Sequence, residues 1–391
     1  MKPQDFSRQA PGTIQQTPQG YWTFVPASLP PDITWSTDMI EVLSRADRAL
    51  GELAGIGSDL PNPNLLVRPF MRREAVLSSR IEGTLASLAD LYTFEAAQLP
   101  LFEIPSDVAE VHNYVRAMEY GLERLQTFPM SLRLIRDIHE HLMAGVRGEH
   151  WTPGEFRRSQ NWIGPPGSTI ETATFVPPPV DEMQMAMNEL EEFIHKPSQI
   201  PPLIRLSLIH YQFEAIHPFL DGNGRIGRLL TSLLLCSWNL LPRPLLYLSA
   251  YFETERDNYY DTLLKVSQNG DWEKWIIYFL TGVSIQAKDA VFRIRRLHDL
   301  LADYRNLCQS SRSTARILQV VDLLFEQPVL TVQQVADAIE VHYPAAKRYV
   351  EQLEEFEILR EITGNARNRV YRADAILEAV SAPINIENET I

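Results

Sequence analysis

The stretch HPFLDGNGRIGR, residues 217–228, decides the fold and the chemistry expected of this chain. It places a histidine, an acidic residue, a Gly-Asn-Gly turn and two arginines between two apolar runs. The glycines allow the backbone to turn its N–H groups inward around an anion. The second apolar run predicts a helix whose positive N-terminus points at the same turn. The stretch therefore predicts a phosphate-binding turn with a base beside it.

The rest of the middle of the chain shows apolar residues at helical spacing, so we expect a mainly α fold. One segment departs from this pattern, because residues 156–179 offer two short apolar runs around a Pro-Pro-Gly-Ser turn. That pattern predicts a small β-hairpin flap, ended by three prolines. The predicted helices begin at Ser36 and near Asn64, and then cover about residues 106–126, 131–145, 180–196, 201–216, 225–241, 252–268 and 271–307.

Composition excludes several classes of protein. The chain has 391 residues, 45% of them hydrophobic, which is enough for a large core and two or three domains. No apolar run has the length of a membrane span and no signal peptide is visible, so we expect a cytoplasmic protein that does not bind membranes. Cys236 and Cys308 lie in no metal-binding or disulfide pattern. The net charge of −14 argues against a general nucleic-acid binder.

The polar stretch QSSRST, residues 309–314, predicts a linker to a C-terminal domain. Three short helices followed by strand, Gly-Asn turn and strand predict a winged helix over residues 312–377, with a disordered tail at 381–391. This region holds eight basic and ten acidic residues, so we weigh protein or homodimer contacts at least equally with DNA binding. The predicted order is an N-terminal region to residue 104, a core over 105–308, and the winged helix.

The run at 217–228 resembles the signature of the Fic family, HPFx(D/E)GN(G/K)RxxR, at every specified position. The resemblance covers about residues 70–300. It implies a helical Fic core that transfers AMP from ATP to a Ser, Thr or Tyr hydroxyl of a protein, with self-modification expected. It also implies that His217 is the general base and that Asp221 is the ligand of Mg²⁺. The residues that it implies for phosphate binding are Gly222, Asn223, Gly224, Arg225 and Arg228.

The residue types suit these roles on their own terms. An imidazole with an ordinary pKa of about 6.5 can accept a hydroxyl proton at neutral pH. Magnesium takes few protein ligands and prefers hard oxygen, as Asp221 offers. Phe219 is expected to anchor the loop in the core. The resemblance also implies an adenine site at the helix after the motif, where Tyr259 and Tyr260 are the candidates, although tyrosines at this spacing are more often core residues.

A second motif, SSRIEGT, matches the (S/T)xxxE(G/N) inhibitory helix of Fic proteins through Ser78, Glu82 and Gly83. The predicted helix covers about residues 65–83, with Ser78 and Glu82 four residues apart on one face. The resemblance implies that Glu82 pairs with Arg228 and so removes a ligand of the γ-phosphate. The alternative is an ordinary surface glutamate at the end of a helix.

The flap of the family aligns a target segment by strand pairing, and here Ile163 with Gly164, or residues 174–176, are the candidate edges. The alternative is a flap with a structural role only. Two other functions stay open. The fold could remove AMP or transfer a phosphoryl or other nucleotide-linked group, although Gly224 in place of lysine favours AMP transfer. The chain could also be a winged-helix transcription regulator with a nucleotide-sensing core.

Overall fold

The computed structural model describes residues 1–58, 62, 64–97, 106–146, 152–310, 315–365 and 368–382. These residues form fifteen α-helices and two small sheets, so the predicted mainly α fold is confirmed. Within them no helix is both long and apolar enough to cross a bilayer. The chain divides into two compact units, and the predicted domain boundaries stay predictions. Unit 1 comprises Met1–Gly51, Arg116–Leu241 and Leu246–Ala287; unit 2 comprises Glu52–Val115, Pro242–Leu245 and Lys288–Ile391.

Unit 1 is built around one central helix, α7, on which α6, α8, α10 and strand β2 all pack. The sequence of α7, PLIRLSLIHYQFEAI, is apolar on nearly all sides, and most of its residues are buried. The elements of unit 1 are β1 (Gly12–Gln16), β2 (Trp22–Pro26), the first part of α1 (Thr37–Ser58), the second part of α4 (Ser106–Arg124), α5 (Leu132–Met143), α6 (Val180–His195), α7 (Pro202–Ile216), α8 (Asn223–Ser237), α9 (Ser249–Thr254), α10 (Arg256–Asn269) and the first part of α11 (Trp272–Ser310).

The predicted flap hairpin is much shorter than expected. Within residues 156–179 the structure forms one antiparallel pair, in which Ile163 N–H donates to the Phe175 carbonyl at 2.8 Å and Phe175 N–H donates back at 3.0 Å. Prolines at 165, 166 and 177–179 lack the N–H that a longer ladder requires. The two arms of the segment therefore pair as predicted, but over a single pair of residues and not over a full hairpin.

The first residues of the chain form a β-hairpin that is absent from the sequence-based expectations above. Strands β1 and β2 pair antiparallel, from Gly12 opposite Pro26 to Gln16 opposite Trp22. Phe24 of β2 is fully buried, stacks on Phe6 at 5.4 Å, and lies 5.8 Å from Phe175. Its N–H donates to the Val176 carbonyl at 3.0 Å. The N-terminal hairpin therefore packs against the second arm of the flap segment.

Unit 2 contains the helix of the second motif and the C-terminal segment. The helix-helix-helix-strand-strand order predicted for 312–377 is present, with an additional strand β3, and its assignment as a winged helix stays a prediction. The disordered tail predicted for 381–391 is corrected at its start, because Ser381 is the last residue of α15, and its part from residue 383 onward lies outside the described residues. The remaining elements are α2 (Asn64–Ile81), α3 (Leu88–Ala97), α12 (Ala315–Glu326), β3 (Val329–Thr331), α13 (Val332–Ala338), α14 (Tyr343–Glu355), β4 (Arg360–Glu361), β5 (Val370–Arg372) and α15 (Asp374–Ser381); the sheet order is β3-β5-β4, antiparallel.

Candidate functional site

His217 is the residue at which α7 ends and the motif loop begins. Its backbone is left-handed, with φ 51° and ψ 61°, and its N–H caps the helix on the Phe213 carbonyl. Its Nδ1 lies 3.2 Å from the Glu214 carbonyl oxygen. Because a carbonyl can only accept, this contact places the hydrogen of the neutral ring on Nδ1. The other ring nitrogen, Nε2, then carries the lone pair that a general base needs.

Two side chains of the flap segment hold the backbone of His217 in this position. Arg157 Nε and Asn161 Nδ2 both donate to the His217 carbonyl, at 3.0 and 3.1 Å, and Asn161 Nδ2 also lies 2.8 Å from the Phe219 carbonyl. Arg157 is fully buried, and burial lowers its pKa to about 10, opposed by the nearby Tyr21. The sequence analysis missed both residues, although a polar run inside a predicted hairpin was an available signal.

The motif loop is closed by Asn223 and anchored by Phe219. Asn223 Oδ1 accepts from Phe219 N–H, and Asn223 Nδ2 donates to the Phe219 carbonyl, both at 2.8 Å. The Asn223 side chain thus closes the loop, and its predicted role in phosphate binding stays a prediction. The Phe219 ring is fully buried and stacks on His139, with centroids 3.7 Å apart, as expected of an anchor.

His139 of α5 is a second residue that the sequence analysis missed. Gly154 N–H donates to its Nδ1 at 2.9 Å, so the ring hydrogen lies on Nε2, which donates to the Asp221 carbonyl at 3.0 Å. Burial lowers the pKa of His139 to about 4, and the charge of Arg225 lowers it further, against the Asp221 carbonyl. A neutral histidine therefore holds the loop next to the predicted metal ligand.

Helix α8 starts at the Gly-Asn-Gly turn, as predicted. Gly222 is its N-cap with φ 79°, a conformation that suits glycine, and a Cβ there would lie 3.0 Å from the Met143 sulfur. The first helical hydrogen bond runs from Ile226 N–H to the Gly222 carbonyl at 3.0 Å, so the amides before it face out of the helix end. The Gly222 amide is not among them, because it donates to Asp221 Oδ1 at 2.6 Å. The helix end can bind an anion.

The charged groups of the motif surround this helix end. Arg225 and Arg228 lie one turn apart on α8 and are both buried, and Arg225 Nη2 is 3.6 Å from Asp221 Oδ1. The Asp221 side chain is 45% exposed. An exposed carboxylate beside an anion-binding helix end fits Mg²⁺, which binds proteins through one or two carboxylates and takes its other ligands from phosphates and water. The described residues contain no group of three or more His, Cys, Asp or Glu that could hold a metal.

The adenine prediction is corrected at one of its two tyrosines. Tyr259 is buried, its ring stacks on Phe252 at 4.4 Å, and its hydroxyl lies 2.8 Å from His210 Nε2. Tyr260 is 40% exposed, because adjacent residues of a helix face different directions, and its adenine role stays a prediction. His210 is a satisfied core histidine, as expected, with Nδ1 3.2 Å from the Gly227 carbonyl.

The second motif lies at the C-terminal end of α2, in unit 2. Gly83 has φ 101°, Gly83 N–H donates to the Arg80 carbonyl at 3.0 Å, and Thr84 N–H donates to the Ser79 carbonyl at 3.2 Å. These two bonds define a Schellman motif, in which Glu82 is the C-cap residue. Ser78 is fully buried, and Glu82 is exposed just past the last residue of α2. The inhibitory role implied for these residues stays a prediction.

We expect the two buried histidines of unit 1 to make the protein sensitive to acid. Burial lowers the pKa of His139 to about 4 and that of His210 to about 3, so folding favours the neutral rings. Their contribution to stability is complete above the unfolded pKa of about 6.5 and is lost as the pH falls towards the folded values. Between pH 6.5 and 5 the free energy of unfolding should fall by up to ~1.4 kcal/mol per pH unit for each histidine.

Urea denaturation at a series of pH values tests this expectation. The slope of the free energy of unfolding against pH should be smaller in His139→Gln between pH 6.5 and 5. The decrease should correspond to about one proton, because only one of the two rings then titrates. His298→Ala is the matched control, since the His298 side chain is 75% exposed. An unchanged slope in His139→Gln would contradict the assignment of a neutral buried ring.

Comparison with protein families identifies the class of protein to which this fold and this motif correspond. Residues 40–123 match the Fic/DOC family N-terminal model, and residues 129–235 match the Fic/DOC family model. The two matched ranges contain the second motif and the whole run from His217 to Arg228. Residues 40–123 and 129–235 therefore carry the two regions that define the Fic/DOC family.

Two curated relatives are named "Protein adenylyltransferase Fic". The chain is 25% identical to the protein of Drosophila yakuba and 26% identical to that of Drosophila erecta, each over 198 residues. Each match covers 49% of this chain and 36% of the relative, about a third of the relative's length. The fold resembles the crystal structure of a Fic family protein from Desulfovibrio desulfuricans, with TM-score 0.56 and 19% identity over 88% of this chain and 98% of that chain.

Proposed function

We propose that this protein transfers AMP from ATP to a Ser, Thr or Tyr hydroxyl of a target protein. The observation that carries the proposal is the geometry of His217. Its Nδ1 contacts the Glu214 carbonyl, so its Nε2 can accept a proton, and it lies five residues before the Gly222 cap of an anion-binding helix end. The names of the Drosophila relatives support the same reaction.

The proposed reaction is a nucleophilic substitution at the α-phosphorus. The hydroxyl oxygen of the target attacks phosphorus, the bond from phosphorus to the oxygen bridging the α- and β-phosphates breaks, and pyrophosphate leaves. His217 Nε2 takes the hydroxyl proton. The amides at the start of α8, with Arg225 and Arg228, bind phosphate oxygens and stabilise the negative charge that shifts towards pyrophosphate. Bound through Asp221, Mg²⁺ would supply further charge neutralisation.

We also propose that Glu82 inhibits the reaction by competing with the γ-phosphate for Arg228. Glu82 is the exposed C-cap of α2, where a carboxylate opposes the helix dipole by ~0.3–1 kcal/mol. The local stability of the helix therefore does not favour a glutamate at this position. The match to the inhibitory motif supports a role for Glu82 other than stabilising its own helix.

Labelling with ATP tests the reaction. Purified protein is incubated with Mg²⁺ and ATP labelled on either the α- or the γ-phosphate, and modified protein is detected after denaturing electrophoresis. We expect self-labelling from α-labelled ATP only, because AMP retains the α-phosphate. Labelling from γ-labelled ATP alone would show phosphoryl transfer instead. Loss of AMP from previously modified protein, dependent on Glu82, would show that removal is the main activity.

A further inference from the structure

We propose that Arg157 and Asn161 are positioning residues for the general base and act through the carbonyl oxygen of His217. The proposal rests on the proposed function. Arg157 Nε and Asn161 Nδ2 both donate to that oxygen, at 3.0 and 3.1 Å, and a carbonyl oxygen can accept two hydrogen bonds. The flap segment then has a second task in this chain besides any contact with a target.

The backbone of His217 requires such support. A left-handed conformation is uncommon for residues other than glycine, and it persists where the surroundings impose it. Arg157 adds to the restraint, because its backbone N–H donates to the Pro218 carbonyl at 2.9 Å. Burying a guanidinium is costly unless its donors are satisfied. Here the buried charge is used next to the base, where a displacement changes the direction of Nε2.

The N-terminal hairpin supports the same arrangement from the other side. Arg157 Nη2 donates to the Pro178 carbonyl, and two residues earlier the Val176 carbonyl accepts from Phe24 N–H at 3.0 Å. Gln212 of α7 donates to the Ala27 carbonyl at 3.0 Å, which fixes the end of the hairpin on the central helix. The hairpin lies before residue 40 and so outside both family models. Positioning of the base thus also involves a segment outside the two family models.

Kinetics of self-labelling in the Glu82→Gly background test this proposal. Asn161→Ala and Arg157→Lys should each lower the maximal labelling rate by at least ~10-fold, because a 1 Å displacement of a reacting group costs about 100-fold. The apparent KM for ATP should stay within about twofold, since neither residue contacts the start of α8. Arg158→Lys is the matched control, because its side chain is 83% exposed.

A spectroscopic measurement separates positioning from a general loss of structure. With ¹⁵N-labelled histidine, NMR should show the Nδ1–H form of His217 in the parent protein and a mixture of tautomers in Asn161→Ala. An unchanged rate, or a raised KM with an unchanged rate, would overturn the proposal. If His217→Ala retains labelling in the same background, the proposed function fails instead.

A separate set of contacts in unit 2 carries a second inference, on regulation. Helix α2, which ends in the inhibitory motif, is held by three arginines. Arg68 pairs with Glu326 of α12 at 3.1 Å, Arg72 pairs with Glu95 of α3 at 2.8 Å, and Arg73 pairs with Asp289 of α11 at 3.3 Å. All three pairs lie within one compact unit. We refer to them as the α2 clamp.

The clamp continues to the last helix of the described chain. Asp289 accepts two hydrogen bonds from Arg293, at 2.8 and 3.0 Å. Arg293 is buried and donates to the carbonyls that end α15, those of Ala379, Val380 and Ala382, at 3.2, 2.7 and 2.9 Å. A buried charge network of this kind is sensitive to the loss of any member.

We infer that the C-terminal segment controls the position of α2, and through it the inhibition by Glu82. This inference also rests on the proposed function. Helices α12 and α15 lie beyond residue 235 and so outside both family models, yet they hold the helix that carries the family's inhibitory motif. A ligand that displaces α12 or α15 would loosen α2 and relieve inhibition.

A charge-swap experiment on Arg68 and Glu326 tests the inference in the full chain. Their side chains are partly exposed, so the substitutions leave the core intact. Arg68→Glu and Glu326→Arg should each raise self-labelling about threefold or more, because like charges replace an ion pair. The double variant, with the pair reversed, should return within about twofold of wild type. Arg45→Glu, which disrupts a surface pair on α1, is the matched control.

The same substitutions in the Glu82→Gly background show whether the effect passes through Glu82. We expect changes of less than about twofold there, because no inhibition remains to be relieved. No rise in the single variants, or an equal rise in both backgrounds, would overturn the inference. If Glu82→Gly itself fails to raise labelling, the proposed inhibition fails, and the two failures are distinguishable.

Discussion

Replacing His217 with Ala is expected to lower AMP labelling from α-labelled ATP by at least ~100-fold, the usual contribution of a general base. The measurement is made in the Glu82→Gly background, where the signal is expected to be strongest. The contact of His217 Nδ1 with the Glu214 carbonyl leaves the lone pair of the neutral ring on Nε2, which on the proposed mechanism accepts the hydroxyl proton. Without the imidazole, the attacking hydroxyl retains its proton.

Two further variants test whether the loss of labelling comes from the missing base. His217→Asn removes the base but tolerates the left-handed backbone, so it should lose activity while the loop stays folded. His298→Ala changes an exposed histidine and should label normally. Labelling retained in both His217 variants, with ATP binding intact, would disprove the proposed mechanism.

Replacing Glu82 with Gly is expected to raise self-labelling by at least ~10-fold, because Arg228 then becomes available to the γ-phosphate. A buried guanidinium strongly favours a negatively charged partner, and on the proposal a carboxylate and a phosphate compete for it. ATP would bind the variant in the productive position. The rise should be larger for the rate of transfer than for total ATP binding.

Glu82→Gln separates the charge from the backbone flexibility of glycine. It keeps the length of the side chain and removes the charge, so it should also raise labelling. Glu357→Gly is the matched control, since Glu357 is an exposed glutamate just past the end of α14. Equal labelling in wild type, Glu82→Gly and Glu82→Gln would show that Glu82 does not inhibit.

The parts of the site that sequence analysis predicted well are those encoded in one continuous stretch. The turn between α7 and α8, the anchoring of Phe219 and the helix stop at Gly83 follow from residue types at fixed spacing. Predictions that depended on side-chain direction were less accurate. Tyr259, a candidate for adenine, belongs to the core, because the packing of neighbouring elements sets the direction of its side chain.

The residues missed entirely are distant in sequence from the motif. His139, Arg157 and Asn161 lie about 55 to 80 positions before the groups they hold. Their spacing carries no local period, so only a folded chain brings them together. The N-terminal hairpin was missed for a related reason, since Phe24 N–H finds its partner in the flap segment at Val176.

By itself the sequence determined the mainly helical class, the turn from His217 to Arg228 between two helices, and the match of that turn to the Fic/DOC family. These depend on local backbone preferences, which act over a few residues. Only the tertiary structure decided that Nδ1 of His217 contacts the Glu214 carbonyl, which side chains hold the His217 carbonyl, and how α2 is held by the C-terminal segment. Those features depend on hydrogen bonds and charge pairs between distant segments, and such contacts exist only after the chain has folded.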